Sequence, residues 1–281
     1  MSKKILIVGL GLIGGSYAMG LTKKGYQVSA IARRQETIDY AIKNGIIKDG
    51  TIKVEKEFIS QFDEIVVSLY PKLLLDWFKQ YKDFFKENAL ITDVTGIKTE
   101  IVYKIQDMLP DSVEFIGAHP MAGKEVYGVE NANDAIFKNA NYIITPTDKN
   151  SERGIVFARN IGELLEFKNV SILSPEEHDR MIAFLSQLTH CIAVSLMTCK
   201  DNTHLQEYTG DSFRDLTRIA NINENMWSEL FMMNKEKLVN EMDCFIDEFR
   251  ELRNIINSEN VEVLKEKMRI SSKRRSYFNK K

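Results

Sequence analysis

Two hydrophobic rhythms divide the chain. From Lys4 to Leu173, short apolar runs alternate with segments whose apolar positions recur every three or four residues. The runs Ile5-Leu6-Ile7-Val8, Val28 to Ala32, Ile65-Val66-Val67-Ser68-Leu69, Ala89 to Val94, Val113 to Gly117, Tyr142-Ile143-Ile144-Thr145-Pro146 and Val170-Ser171-Ile172-Leu173 read as strands, the first and third of them buried. Helical faces lie between them: Tyr17, Ala18 and Leu21; Leu73, Leu74, Trp77 and Phe78; Ile101, Val102 and Ile105; and the stretch from Gly154 to Leu165. Such alternation predicts an α/β fold with a Rossmann-type doubly wound sheet over residues 1–173.

At Ser174-Pro175-Glu176-Glu177 the rhythm changes. Serine as N-cap, proline at the first helical position and glutamate three residues after the cap make a strong helix start. Beyond it almost no strand pattern occurs. Ile182, Leu185, Leu188, Ile192, Leu196 and Cys199 mark a long apolar helix holding His178 near its start and His190 inside it. Further helices are predicted near Met226 to Met233, Lys235 to Ile256 and Val261 to Met268, so residues 174–281 form an all-α domain. An apolar array of this size predicts a homodimer formed through the C-terminal helices.

Composition narrows the class. Basic and acidic residues nearly balance (38 against 40), which disfavours nucleic acid as a partner. No apolar run reaches bilayer-spanning length, and Met1-Ser2-Lys3-Lys4 leads into a strand and not a signal peptide, so a cytoplasmic protein is expected. Cys191, Cys199 and Cys244 lack metal-ligand spacing and cannot all pair; Cys191 and Cys199, two helical turns apart in an apolar stretch, read as reduced core thiols. Lys273-Arg274-Arg275 and Lys280-Lys281 read as a solvated tail.

The chemistry gathers at strand ends. Gly9-Leu10-Gly11-Leu12-Ile13-Gly14 follows the first strand and opens a helix, the context a dinucleotide site requires. Gly9 serves the tight turn, Gly11 the approach of a pyrophosphate, and Gly14 the close packing of helix on strand, while Leu12 and Ile13 carry the first helical amides. The second strand ends in Ala32-Arg33-Arg34, with no acid for a ribose 2′-hydroxyl but two guanidinium groups suited to a 2′-phosphate. This favours NADP over NAD. Ser68 and Asp93 end the next two strands and are expected beside the cofactor. The following strand delivers His119 into Gly117-Ala118-His119-Pro120-Met121-Ala122-Gly123, and a histidine there is suited to take a proton near neutral pH. In the helical part, Arg214 and Arg218 lie four apart and could clamp carboxylates, with Asp215 beside them.

Gly9 to Ser16, Asp93 to Lys98, Gly117 to Gly123, Ser174 to Asp179, and Phe213 to Ala220 followed by Trp227 together resemble the prephenate dehydrogenase family, which includes arogenate and cyclohexadienyl dehydrogenases. The resemblance implies oxidative decarboxylation of prephenate to 4-hydroxyphenylpyruvate in tyrosine biosynthesis, with hydride passing to NAD(P). It makes His119 the proton acceptor for the substrate hydroxyl, and His190 and Arg218 substrate-binding groups, with weaker claims for Arg214 and His178. Many members carry serine where this chain has Gly96; Thr95, one residue earlier, is the candidate to replace that hydroxyl. Arogenate as substrate, favoured by an acid such as Asp211 at the side-chain end, is the nearest alternative. A non-catalytic NADP-binding sensor is a rival of another class. A β-hydroxyacid dehydrogenase would require a lysine base, for which Lys200 is poorly placed.

Overall fold

The computed structural model describes residues 3–124, 126–201 and 203–278. Met1, Ser2 and the Lys280-Lys281 end of the tail lie outside the described residues. The glycine-bearing start of the chain forms β1 (Lys4–Val8), α1 (Leu12–Lys23) and β2 (Gln27–Ile31), followed by α2 (Gln35–Lys43), a short β3 (Asp49–Thr51) and α3 (Lys56–Ile59). The chain then continues through β4 (Glu64–Val67), α4 (Pro71–Tyr81), β5 (Leu90–Asp93), α5 (Thr99–Met108), β6 (Glu114–Pro120), β7 (Asn141–Thr145), α6 (Glu152–Leu164) and β8 (Asn169–Ile172).

These strands make one sheet in the order β3-β2-β1-β4-β5-β6-β7-β8. The chain leaves β1 toward β2 and β3, then returns to build outward from the other side of β1. That reversal between β1 and β4 is the switch point where open α/β sheets bind ligands. Alternation within a strand feeds two cores. Ile5 and Ile7 pack with Tyr17, Leu21 and Phe157 on one face, while Leu6 and Val8 pack with Leu74, Phe78 and Ile101 on the other. Where both faces are covered, as in β1, β4 and β5, the strands read as unbroken apolar runs, whereas the edge strand β8 is largely exposed.

Two features depart from the expected sheet. The three-residue β3 carries no apolar run and joins only as an edge partner of β2. β7 runs antiparallel to β6, with Gly117 opposite Thr145 and Pro120 opposite Tyr142, and β8 is parallel to β7. A parallel partner would need a full crossover. Instead, the link after β6 holds two 3₁₀ turns, Val129–Asn131 and Asp134–Phe137, the first resting against Gly15 of α1.

The helical part opens with α7 (Pro175–Ile182), whose Ser174–Glu177 capping box is fully formed. It continues through a π-helical turn, Ala183–Leu188, into α8 (Thr189–Thr198), then α9 (Asp211–Thr217), a 3₁₀ turn Arg218–Ala220 and α10 (Glu224–Met233). Contacts group Met1–Asn234 as one compact unit and Lys235–Lys281 as a second. The second unit is a helical hairpin of α11 (Lys235–Asn257) and α12 (Val261–Ser276), joined by Lys267 bonding both Glu248 and Glu251 at 2.9 Å.

Two sequence expectations need correction. The continuous helical run Pro175–Thr198 is, by length and composition only, long and apolar enough to cross a membrane. Polar residues inside it, among them Glu176 and Arg180, hid that length from a search for unbroken apolar runs. Cys191 and Cys199 are not core thiols within this chain: Cys199 is exposed, as is Cys244, and Cys191 is half-buried.

Candidate active site

The cradle at the switch point is built as its glycines require. Gly9 has φ +94°, and a Cβ there would lie 2.3 Å from the Ser68 carbonyl oxygen. A Cβ on Gly14 would lie 1.9 Å from the Gly9 carbonyl oxygen, so only glycine lets α1 sit this close to β1. Gly11 differs: a Cβ would meet nothing within 4 Å. The loop is therefore tight against the protein at Gly9 and Gly14 and open at Gly11, where a phosphate would approach. Gly11 is also the N-cap of α1 and has no side chain to cover the first amides, of which Leu12 and Ile13 are part. Ser68 backs the loop from the end of β4, its Cβ facing Gly14 and its amide bonded to the Val8 carbonyl at 2.7 Å. Arg33 and Arg34 stand exposed just past β2.

The same edge presents His119. β6 pairs with β5 only as far as Ile116, opposite Thr92, so its last residues have β7 on one side and no strand on the other. The Asp93 carboxylate fills that missing side by accepting the Ala118 amide at 3.1 Å. Asp93 is fully buried, and its other oxygen takes Lys98 Nζ at 2.6 Å, the Thr95 amide at 2.9 Å and the Thr95 hydroxyl. Lys98 is likewise fully buried, and desolvation lowers its pKa against the opposing pull of Asp93. Asp93 thus braces the strand that carries His119, its carboxylate turned inward to partners within the protein. The hydroxyl of Thr95 lies between Asp93, Lys98 Nζ at 3.2 Å and the Ile97 carbonyl at 3.0 Å, which leaves it unavailable to stand in for the family serine.

Behind His119 lies a second imidazole. His119 Nδ1 is 2.8 Å from His178 Nε2, and His178 Nδ1 is 2.8 Å from Asp179 Oδ1. Asp179 also caps α5, accepting the Lys98 and Thr99 amides at 2.8 Å each. The chain of contacts closes on itself, since Lys98 bonds Asp93 and Asp93 holds Ala118 beside His119. His178 is fully buried, behind His119 and not among substrate-facing groups as the resemblance implied. Burial first, then the neighbouring His178 and Lys98, hold the pKa of His119 well below the usual 6.5. The other ring edge lies beside Gly96, where a Cβ would sit in van der Waals contact, 3.6 Å from His119 Nε2 and 3.6 Å from Leu230 of α10.

A wide turn sets the second histidine. Twelve residues separate His178 from His190, which would turn an unbroken α-helix about 120° past whole turns. The π turn at Ala183–Leu188 absorbs one extra residue and takes back about 100°, leaving the two on nearly one face. Gln187 and Asn234 fasten this turn: Gln187 Nε2 donates to the Leu230 carbonyl at 2.9 Å, and Asn234 Nδ2 donates to Gln187 Oε1 and the Asp179 carbonyl at 2.8 Å each. His190 bonds the Ser186 carbonyl through Nδ1 at 2.9 Å and lies over Trp227, centroids 3.7 Å apart. Arg218 stands in the 3₁₀ turn that packs on α8. Arg214 is held at the surface by Asp211 at 3.1 Å and the Thr209 carbonyl at 3.0 Å. Lys98, Asp179, Gln187 and Asn234 have no role in the sequence-based expectations; the linear signals were that Asp93 to Lys98 and Ser174 to Asp179 are among the stretches that carry the resemblance.

A glycine cradle at the switch point and a histidine on the same sheet edge define an NAD(P)-binding Rossmann-type dehydrogenase. Family models for the nucleotide-binding and dimerization domains of prephenate dehydrogenase match residues 17–179 and 174–270. The chain is 32% identical over 280 residues to the prephenate dehydrogenase of Bacillus subtilis, covering 94% of this chain and 73% of that one. It is 26% identical to the cyclohexadienyl dehydrogenase of Zymomonas mobilis, covering 97% and 95%. The prephenate dehydrogenase of Aquifex aeolicus, solved with hydroxyphenyl propionate and NAD+, superposes with a TM-score of 0.90 at 28% identity, covering 99% of each chain. The chain belongs to the prephenate dehydrogenase family.

Proposed function

We propose that this chain catalyses the oxidative decarboxylation of prephenate to 4-hydroxyphenylpyruvate, with His119 as the base. One observation carries the assignment of the base: His119 Nδ1 is tied to His178, while Nε2, on the opposite edge of a half-buried ring, lies beside Gly96, which has no side chain to cover it. The residues present suit a dinucleotide, since the loop is open only at Gly11 and the helix behind it lacks a side-chain cap. When bound, the nicotinamide supplies the hydride acceptor. His119 Nε2 takes the hydroxyl proton as the hydride leaves the same carbon. The bond to the ring carboxylate then breaks, its electrons enter the ring, and carbon dioxide departs. His119 returns the proton to the phenolate oxygen, so no net proton is released. A base so placed contributes about a hundredfold to ten-thousandfold in rate.

His190 and Arg218 are the substrate-binding pair in this reading, the guanidinium meeting a carboxylate. Arg214 is a lesser candidate because Asp211 already engages it, and the same pairing withdraws Asp211 from the role of ammonium partner for arogenate. Arg33 and Arg34 support NADP over NAD, being exposed past β2 where no acid stands. We assign the division of labour to residues 1–173 and 174–281, in line with family models that meet at 174–179. The dimer is assigned to the C-terminal helices, supported by the run Pro175–Thr198, whose most apolar window is only 28% buried within one chain.

The test is absorbance of reduced nicotinamide with prephenate or arogenate and with NAD or NADP, for wild type and His119→Asn. Turnover of prephenate that falls at least about a hundredfold in the variant is expected. Undiminished turnover in His119→Asn removes the imidazole from its role. A lower KM for NAD than for NADP overturns the arginine reading.

A further inference from the structure

We propose that His178 and Asp179 are positioning residues that fix the tautomer of His119, leaving Nε2 as the bare lone pair that faces the substrate. The inference rests on the assignment of His119 as base and adds which nitrogen works, and why. It follows from donor and acceptor arithmetic along three contacts. Asp179 already receives the Lys98 and Thr99 amides, so its carboxylate acts there as acceptor. Ionised, it has no proton to give His178, and the 2.8 Å contact therefore requires the proton to sit on His178 Nδ1. A neutral His178 then has a bare Nε2, which accepts. The 2.8 Å contact between rings accordingly places the second proton on His119 Nδ1. His119 is left with one bare nitrogen, Nε2, on the edge beside Gly96.

The direction of the chain matters to the reaction. If the order were reversed, His178 Nε2 would donate to His119 Nδ1, and Nε2 of His119 would carry a proton, able to donate to the substrate hydroxyl oxygen but not to take its proton. Asp179 prevents this at a distance of two rings. As His119 Nε2 accepts the hydroxyl proton, the positive charge formed lies against His178 Nε2 and, beyond it, the Asp179 carboxylate. The proton need be held only until the phenolate reclaims it, and the bonded pair holds it without solvent. The logic is that of a carboxylate orienting a catalytic imidazole, extended by one ring.

Burial favours such a device. His178 and Asp179 are 0% and 1% exposed, so water does not compete for their hydrogen bonds. Asp179 is itself immobilised by the amides of α5, by its place on α7, and by Asn234 on its own carbonyl. The charged and titratable groups facing the pair are Lys98 and Asp93, already bonded to each other.

Three variants and one spectroscopic measurement test the proposal. In wild type, nitrogen-15 spectra of labelled histidine, assigned by difference with His119→Asn, should show His119 protonated on Nδ1 and bare at Nε2. Asp179→Asn can turn its amide donor toward His178, and is expected to shift His119 toward the Nε2-protonated form and to lower kcat about a hundredfold or more, with KM for prephenate changed by less than about threefold. Because Asp179 also caps α5, His178→Gln and His178→Leu serve as the second pair, the cap being intact in both. Glutamine retains an acceptor for His119 Nδ1 and leucine does not, so activity should fall in the order wild type, Gln, Leu, with cofactor affinity unchanged. A wild-type His119 protonated on Nε2, or equal kcat in the Gln and Leu variants, overturns the proposal. Normal turnover by His119→Asn would instead overturn the base assignment, while the substrate-free spectra would still decide the tautomer.

Discussion

At His119, burial is the main force against a second proton. Desolvation disfavours the imidazolium, and His178 and Lys98 add to it. The folded-state pKa lies below the unfolded value of 6.5, so the stability the neutral ring contributes is complete above that pH. It is lost as pH falls toward the depressed folded value, because the unfolded chain then binds a proton that the folded chain refuses. The acid limb of kcat/KM in the free enzyme should therefore fall below pH 6.5, and a pH titration of turnover checks it. Lys98 gives a second prediction at this scale. Lys98→Met leaves Asp93 buried without its cation and should cost about 3–5 kcal/mol in urea unfolding. The Lys98 ion pair was invisible in the linear sequence, where Lys98 looks like any polar residue opening a helix. Only the return of α7 and β6 onto the α5 terminus buries it.

Among the elements, the glycine loop tests how literally the motif can be read. Gly14→Ala forces a Cβ against the Gly9 carbonyl oxygen at 1.9 Å and should destabilise the protein by about 1–3 kcal/mol or more. Gly11→Ala meets no protein atom within 4 Å, so its stability change should stay within about 1 kcal/mol while cofactor affinity falls. Thermal melts beside cofactor titrations separate the two. The π turn makes another test. Deleting Leu185, which is 44% exposed, removes the extra residue and should swing His190 about 100° from His178. Loss of the His190–Trp227 stack would register as a change in Trp227 fluorescence, and kcat/KM should drop with it. The strands of β1, β4, β5 and β6 were legible because burial on both faces leaves continuous apolar runs. The π turn was not, since its apolar residues fit an α pattern just as well, and Gln187 and Asn234 stabilise it only after the chain has folded.

For the whole molecule, the exposed apolar surface sets the expectation. Phe184 and Leu185 of the π turn are 55% and 44% exposed, and Phe249 of the hairpin is 63% exposed. Sedimentation at micromolar concentration should show a dimer, and a charged residue such as Phe184→Glu should shift it toward monomer. The order of strands and helices, the cradle at Gly9 to Gly14, and the imidazole at the end of β6 were all determined by the sequence, because periodicity, φ-tolerant glycines and strand ends are local properties. Which groups meet was not local. Asp93 turned inward to Lys98, and Thr95 turned with it; His178 came to rest behind His119 because α7 returns its N-terminal turn to α5. Hydrogen-bond partners 59 and 81 residues apart are chosen by the need to satisfy buried polar and charged groups, and only the packed tertiary structure imposes that need.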